Sequence, residues 1–181
     1  QTCEQFGIAA VMEAFAALLH GAAEELRAAI RTLPDGEASA EGFMDNDGVE
    51  LDRPVRFAVT VRVKNGEIEF DVSKSDRQAR GPVNLRPSMV EACVFYCLIG
   101  AIDPKLNFND GMREVVRFIY APNTVTNASA PAPVSSYQAA NLKLTDVILQ
   151  ALAPFRPERA VANGGSSGAM LISWKDGGRP G

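Results

Sequence analysis

The sequence contains one histidine and three cysteines in 181 residues, and each scarcity excludes a class of chemistry. A Ser-His-Asp triad or a metal site built on several histidines has only His20 to draw on. Because His20 falls in the middle of a predicted helix, we expect a partly exposed side chain with a structural role. Cys3, Cys93 and Cys97 are too few for a disulfide scaffold. Cys93 and Cys97 are one helical turn apart, and burial as small apolar side chains is favoured over a redox or metal pair.

Clustered basic charge and long apolar runs are absent as well. The chain has 18 Lys and Arg against 22 Asp and Glu, a net charge of −4, which disfavours nucleic acid as a partner. No apolar stretch approaches the roughly 18 residues of a membrane span, so we expect no membrane partner. The cysteine content fits a reducing, cytoplasmic setting.

The two ends of the chain suggest a piece cut from a longer protein. It opens on "QTCEQFG" without Met and closes on "WKDGGRPG". We therefore interpret the chain as an internal fragment that forms a single domain over 1–181. Within it we expect a long helix over 1–36 and an α+β body over 37–181.

A stripe of apolar residues at steps of three and four predicts the long N-terminal helix. Near thirty helical residues would form a rod of roughly 40 Å. Such a length is typical of a helix that leans on another domain or subunit. The stripe consists of Ile8, Met12, Phe15, Leu19, Ala22, Leu26, Ile30 and Leu33.

A β-hairpin is the strongest local signal. Apolar residues alternate from Val55 to Val63, and Asn65-Gly66 is the favoured two-residue turn. Folding about that turn pairs Lys64 with Glu67 on one face and apolar residues on the other. Asp71 then falls at the end of the second strand, opposite Thr60 on the polar face.

The rest of the chain predicts an α+β fold, in which an antiparallel, hairpin-based sheet packs against helices. "SMVE" at 88–91 resembles a capping box before an apolar, buried helix that ends near residue 101. "REVVRFIYAP" predicts a strand, "NASAPAPVS" an extended loop, "NLKLTDVILQALAPF" a shorter helix and "AMLISW" a last strand.

Two motif matches fail on their context. "DNDG", which contains Asp45 and Asp47, resembles a calcium-binding loop, but Phe43 and Pro54 occupy two of the ligand positions, so a turn built by Asn and Asp is favoured. "GGSSG" places Ser166 in a G-x-S-x-G pattern. A nucleophile elbow needs a strand before the serine and a helix after it, whereas a predicted strand follows here.

The polar stretch "DVSKSDRQARGPVN", residues 71–84, links the hairpin to the buried helix. It belongs to a series of loops that includes "FMDNDG", "NFNDGMREV" and "APNTVTNASAPAPVS". In their order along nearly the whole chain, these loops resemble the hydantoinase B/oxoprolinase family. The family pattern for residues 71–84 resembles Asp-Phe-Ser-Gly-Ser, then Gln, then Gly-Pro-x-Asn. Lys74 departs from it where the pattern has Gly, a residue that permits positive φ or close approach to a ligand.

The resemblance implies the B half of a two-part enzyme that acts with a hydantoinase A-like, ATP-binding partner. Such enzymes use ATP to open small cyclic amides (hydantoins, 5-oxoproline, lactams), and related ones are ketone carboxylases. ATP is then expected on the partner, no cofactor or metal in this chain, a divalent metal in the upstream region of the family, and an oligomeric assembly. Weak candidates for substrate contacts are Asp71, Ser75, Gln78, Asn84, Asn109 and Asp110.

Each of these candidates also has a purely structural interpretation, which is favoured because loop Asn and Asp commonly form turns. Asp71 could orient water, while Gln78 and Asn84 could hydrogen-bond a carbonyl oxygen. Three functions stay open at this point. They are a cyclic-amide hydrolase, a component of a ketone carboxylase and a scaffold or interaction domain without a site of its own.

Overall fold

The structure is a computed structural model that describes residues 1–162, Gly164, and the backbone of 175–176 and 179–180. Its helices are α1 Thr2–Phe6, α2 Ile8–Ile30, α3 Pro87–Ala101 and α4 Tyr137–Leu152. Its strands are β1 Gly36–Met44, β2 Val55–Lys64, β3 Glu67–Asp71 and β4 Val116–Ile119, with short strands β5 Lys175–Asp176 and β6 Arg179–Pro180. The predicted strand "AMLISW" and Ser166 lie outside the described residues.

Strands β1 to β4 form one sheet in the order β1-β2-β3-β4. The first three strands are antiparallel, while β4 pairs with β3 in parallel. The prediction of an α+β fold around an antiparallel hairpin is confirmed, and β4 adds a parallel edge. A parallel neighbour requires a long crossover, which α3 and the segment that follows it supply.

The hairpin has the predicted register. Lys64 faces Glu67, Arg62 faces Glu69 and Thr60 faces Asp71. Asn65 and Gly66 both have positive φ, 53° and 79°, which is the backbone shape of the turn favoured between two antiparallel strands.

The core lies on the apolar face of this sheet. Large, fully buried side chains from β2 and β3 pack against α3 and α4, and the C-terminal part of α2 contributes to the same core. The largest fully buried side chains of the core are Phe57, Phe70, Leu26, Ile30, Ile68, Leu85, Leu98, Met112, Leu144, Ile148 and Leu152. Helix α3 is apolar almost all round, as predicted, but it is only partly buried. Seven of its fifteen residues are buried, whereas a stripe formed by Ser88, Ala92, Tyr96 and Gly100 is exposed.

The N-terminal helix is shorter than predicted and is interrupted. Gly7 has φ +81°, so it separates α1 from α2. Only the C-terminal part of the apolar stripe is buried, from Ala22 to Leu33, whereas Ile8 and Phe15 are 71% and 57% exposed. Whether the exposed part leans on another domain or subunit stays a prediction.

Two further differences concern element ends. Strand β1 was not predicted from the sequence, and its segment "GEASAEGFM" is rich in small residues that disfavour strands. The predicted capping box at residues 88–91 is wrong. Arg86 is the N-cap and Pro87 begins α3, since proline suits the first helical position, and Ser88 makes no capping bond. Glu91 instead forms an ion pair with Arg113.

Cys93 and Cys97 are buried, unpaired thiols, which confirms their interpretation as small apolar side chains. Burial raises the pKa of Cys93 to about 11 and that of Cys97 further, so neither is a reactive thiolate. His20 lies on α2 with an exposed side chain. Among the described residues, every helix is too short or too polar to cross a membrane.

Candidate functional site

Three connecting segments meet at the end of the sheet where β3 and β4 terminate. They are the β1–β2 link (45–54), the polar loop (72–86) and the loop after β4 (120–136), together called the loop cluster. The Asp47 carboxylate accepts a bond from the Gly81 N–H at 2.7 Å, which joins the first two segments. The Leu85 N–H donates to the Val125 carbonyl at 2.7 Å, which joins the second and third.

Asp71 is 8% exposed and its carboxylate is fully engaged. One oxygen accepts bonds from the Ser73 hydroxyl (2.6 Å) and the Ser73 N–H (3.0 Å), and the other pairs with Arg62 at 3.2 Å. Burial alone would raise the pKa of Asp71, but the bonds from Ser73 and Arg62 hold it below its ordinary value. Asp71 therefore anchors the start of the loop as an anion and is not a free base.

Ser75 is 7% exposed and extends the pairing of strand β2. Its hydroxyl accepts a bond from the Ala58 N–H at 3.0 Å and donates to the Ala58 carbonyl at 3.1 Å. The side chain thus takes the place of a backbone partner in the sheet. No nucleophilic role follows from these contacts, because the hydroxyl bonds to no basic group among the described residues.

Asn84 is completely buried, and its amide makes four hydrogen bonds. Its oxygen accepts from the Ala79 N–H at 2.7 Å. Its NH₂ group donates to the carbonyls of Ala79, Gly81 and Pro133 at 3.0, 3.1 and 2.9 Å. Asn84 therefore holds the polar loop to the loop after β4, and it has no donor left for a substrate.

Gln78 is a predicted site residue whose side-chain NH₂ group remains available as a hydrogen-bond donor. Its amide oxygen accepts from the Ser129 N–H at 3.0 Å, and its backbone N–H donates to the Asn123 carbonyl at 2.9 Å. Within the described residues its NH₂ group has no hydrogen-bond partner. The side chain is half-buried, so an oriented amide donor is available at the surface of the loop cluster.

Asn109 and Asp110 lie away from the loop cluster. They precede the N-terminal end of β4, whereas Asp71 lies at the C-terminal end of the parallel strand β3. The Asn109 oxygen accepts from the Gly111 N–H at 2.9 Å, and its NH₂ donates to the Leu18 carbonyl at 3.1 Å. Asp110 is exposed and pairs with Arg113 at 2.9 Å. The predicted residues therefore do not form one site.

Asp47 is a structural anchor of the loop cluster, whereas the sequence predicted only a turn residue. It does form the predicted turn, because one oxygen accepts from the N–H groups of Val49 and Glu50 at 2.9 and 2.7 Å. The unpredicted contact is the second oxygen, which reaches Gly81 across 34 residues. Burial alone would raise the pKa of Asp47, and these backbone donors lower it. No local sequence pattern predicts a contact between residues 34 positions apart.

Charged side chains of both signs lie beside Gln78. A small cavity of about 80 Å³ lies between the β1–β2 link and the polar loop. Typical small-molecule sites enclose roughly 300–1,000 Å³, so this cavity is too small to be a whole pocket by itself. Its lining consists of Asp47, Glu50, Arg53, Pro54, Val55, Asp76, Arg77, Gln78, Ala79 and Arg80.

A larger groove, about 640 Å³, lies elsewhere, between the end of α2 and the polar face of the hairpin. It carries charges of both signs, and Arg62 at its floor is bonded to Glu37 at 2.6 Å and Glu69 at 2.8 Å. These ion pairs engage the Arg62 guanidinium, so it is not a free cation at the floor of this groove.

Acid should weaken the loop cluster. Asp47 and Asp71 have pKa values below their ordinary range when folded, so each stabilises the fold above its unfolded pKa of about 3.9. That contribution is lost as the pH falls through the lower, folded pKa. We expect the melting temperature of the full-length protein to fall between pH 5 and pH 3, and to fall less in Asp71→Asn. An equal pH dependence in this variant and in an Asp47→Asn variant, matching the parent, would contradict this assignment.

Residues 1–180 match the profile of the hydantoinase B/oxoprolinase family. The match spans nearly the entire sequence, so the chain belongs to this family.

Two curated relatives match over most of this chain. An uncharacterized protein of Methanocaldococcus jannaschii, MJ0963, is 29% identical over 93% of the chain. A protein of Pseudomonas sp. strain NS671, named provisionally as the B-type component of a D-/L-hydantoinase, is 28% identical over 94% of it. The chain spans 30% of the length of each relative.

Two solved structures share the fold. The ATP-dependent caprolactamase from Pseudomonas jessenii has a TM-score of 0.77 at 24% identity, over 87% of this chain and 27% of that one. The nucleotide-free acetone carboxylase has a TM-score of 0.78 at 18% identity, over 91% of this chain and 24% of that one.

Proposed function

We propose that this chain is part of an ATP-dependent enzyme that hydrolyses cyclic amides such as hydantoins, 5-oxoproline or lactams. The observation that carries the proposal is the family match over residues 1–180. A B-type hydantoinase component among the relatives and a caprolactamase among the solved structures support this substrate class. Because the chain spans 30% of its relatives, the reaction belongs to the longer protein.

The chemistry requires activation before water can attack. A lactam carbonyl is a poor electrophile, and transfer of a phosphoryl group to its oxygen creates a good leaving group. Charge then develops on oxygen atoms, and oriented N–H donors and cations stabilise it. In this chain the NH₂ group of Gln78 and the exposed side chain of Arg77 are the parts of the loop cluster that offer such groups, since Arg80 is paired with Glu50.

The remaining requirements are proposed for other parts of the assembly. A hydantoinase A-like partner would bind ATP, and a region upstream of this chain in the longer protein would hold a divalent metal if the reaction uses one. A cytoplasmic location would give access to ATP. The loop cluster would then form a rigid wall beside the substrate, because Asp47, Asp71 and Asn84 fix its backbone.

Ketone carboxylation is the second candidate function. The fold matches acetone carboxylase as well as it matches caprolactamase, with TM-scores of 0.78 and 0.77. A carboxylase of this kind would phosphorylate an enol oxygen, a step that resembles phosphorylation of an amide oxygen. The third candidate function is a scaffold without substrate contacts. Its support is that Asp71, Ser75 and Asn84 are fully engaged in internal hydrogen bonds.

A substrate panel separates these functions. The full-length protein with its A-type partner would be given ATP and 5-oxoproline, hydantoins or small lactams. We expect ring opening that depends on ATP, the partner and this protein together. ATP use that instead requires a ketone and bicarbonate would replace the hydrolase by the carboxylase.

Gln78→Ala tests the substrate contact. The variant loses the free NH₂ donor and one solvent-facing hydrogen bond, so we expect kcat to fall roughly 10–100-fold, as for loss of one charge-stabilising donor, with little change in melting temperature. Gln78→Glu keeps the oxygen that accepts from Ser129 and removes the donor, so it should lose activity equally. Full activity in both variants would assign Gln78 to architecture alone.

A further inference from the structure

The N-terminal half of helix α2, residues 8–19, is exposed although it is almost entirely apolar. Eleven of its twelve residues are apolar, and Glu13 carries the only charge in that stretch. Met12 and Leu18 are 61% and 63% exposed, and Val11 is half-exposed, while the other residues of the stretch are exposed as well. Soluble monomeric proteins rarely leave large contiguous apolar patches uncovered, so this half of the helix has the character of an interaction surface.

Its large and small side chains lie on different faces of the helix. At about 100° per residue, the large apolar side chains fall within one arc of about 120°. They are Ile8, Val11, Met12, Phe15, Leu18 and Leu19. The remaining arc carries five alanines and Glu13. This second face therefore lacks the several charged residues that are typical of a helix face in contact with solvent, and its small side chains allow another element to approach closely.

The C-terminal half of the same helix has a different pattern. Leu26 and Ile30 are fully buried in the core of this domain. Glu24 and Glu25, off that stripe, are exposed and give this half a charged solvent-facing side. One helix thus has a half that is amphipathic and covered on one face, and a half that is apolar or small on both faces and covered on neither.

The helix is held firmly where these two halves meet. The Asn109 NH₂ group donates to the Leu18 carbonyl at 3.1 Å. Gly111 packs so closely against the helix that a Cβ at this position would lie 2.0 Å from the Leu19 carbonyl oxygen. The exposed half therefore extends from the domain in a fixed direction, which lowers the entropic cost of a permanent contact.

We propose that residues 8–19 are enclosed on both faces by the part of the longer polypeptide that lies outside this chain. The chain spans 30% of the length of its relatives, so a much larger part of that polypeptide is available to cover the helix. Linked parts of one polypeptide meet at effective concentrations of roughly millimolar. A second copy related by a two-fold axis would use one patch against the same patch, which leaves the other face uncovered. Helix α2 then contributes to two cores and fixes the orientation of this domain in the longer protein.

Thiol labelling of the full-length protein tests the enclosure. In a Cys3→Ser background, Met12→Cys reports on the face with large side chains and Ala17→Cys on the alanine face. Ala28→Cys is the matched control, because Ala28 is exposed and lies three turns from Ala17 on the same side of α2. We expect a maleimide to modify Met12→Cys and Ala17→Cys at least roughly tenfold more slowly than Ala28→Cys, as quantified by peptide mass spectrometry. Labelling of either variant as fast as Ala28→Cys would overturn the proposal.

Cross-linking identifies what covers the helix. A benzophenone side chain in place of Phe15 would be irradiated in the full-length protein without its A-type partner. The expected product has the mass of one chain, and its cross-linked peptide lies outside residues 1–181. A product with the mass of two chains would assign the surface to a second copy, and a product that forms only when the A-type partner is added would assign it to that protein. Either result would overturn the proposal, as would a cross-link confined to residues 1–181.

Discussion

Replacing Gly81 by alanine should destabilise the protein by about 3 kcal/mol, in the range measured for overpacking a filled site. A Cβ at this position would lie 1.8 Å from the Asp47 carbonyl oxygen and 2.9 Å from its carboxyl carbon. The neighbour is backbone, and it is held by the turn to Val49 and Glu50, so it cannot move aside alone. The link and the polar loop would have to separate, with loss of the Gly81–Asp47 bond.

The measurement is the melting temperature of the domain that this chain forms, followed in the full-length protein. It should fall by roughly 6–12 °C, at about 2–4 °C per kcal/mol for a domain of 181 residues. Gly21→Ala is the matched control. A Cβ at Gly21, within α2, meets nothing within 4 Å, and alanine favours a helix by roughly 0.5–1 kcal/mol over glycine. Equal effects of the two substitutions would show that the link and the loop are not in contact.

Replacing Asn84 by alanine should cost about 3–4 kcal/mol, because it leaves several buried groups unpaired at once. The N–H of Ala79 and the carbonyls of Ala79, Gly81 and Pro133 would lose their partner in a fully buried position. Asn84→Asp should be at least as destabilising. An ionised carboxylate has no donor for the three carbonyls and would be buried among their partial negative charges.

Asn107→Ala is the comparison for this pair. Asn107 is exposed and bonds to Glu25, so its loss should change stability by less than about 1 kcal/mol. Urea unfolding followed by circular dichroism distinguishes the outcomes. If Asn84→Ala lowered the free energy of unfolding as little as Asn107→Ala, the conclusion that Asn84 holds the two loops together would be wrong.

The sequence predicted the hairpin well because its signals are local and agree with one another. Alternation, the Asn65-Gly66 turn and cross-strand charge all point to one register, and the structure has that register. Strand β1 had no comparable signal. Its small residues form a strand because β2 offers a bonded neighbour, and because Gly42 lets α4 approach, as a Cβ there would lie 2.7 Å from Val147.

The sequence indicated which loop to examine, but it did not predict the hydrogen bonds that hold the loop cluster together. The polar composition of residues 71–84 indicated a specialised loop, and the resemblance gave the residues to test. What those residues bond to depends on segments far away in sequence, such as Asp47 to Gly81 and Gln78 to Ser129. Asn109 and Asp110 were grouped with Asp71 although the parallel strand β4 places them at the other end of the sheet.

Amide-bond opening per ATP consumed tests the central claim most directly. The full-length protein and its A-type partner would be incubated with ATP and a lactam, and amino acid product and ADP would be quantified together. The proposed function predicts ring opening coupled to ADP formation, lost when either protein is omitted. ADP formation without ring opening, driven instead by ketone and bicarbonate, would contradict it.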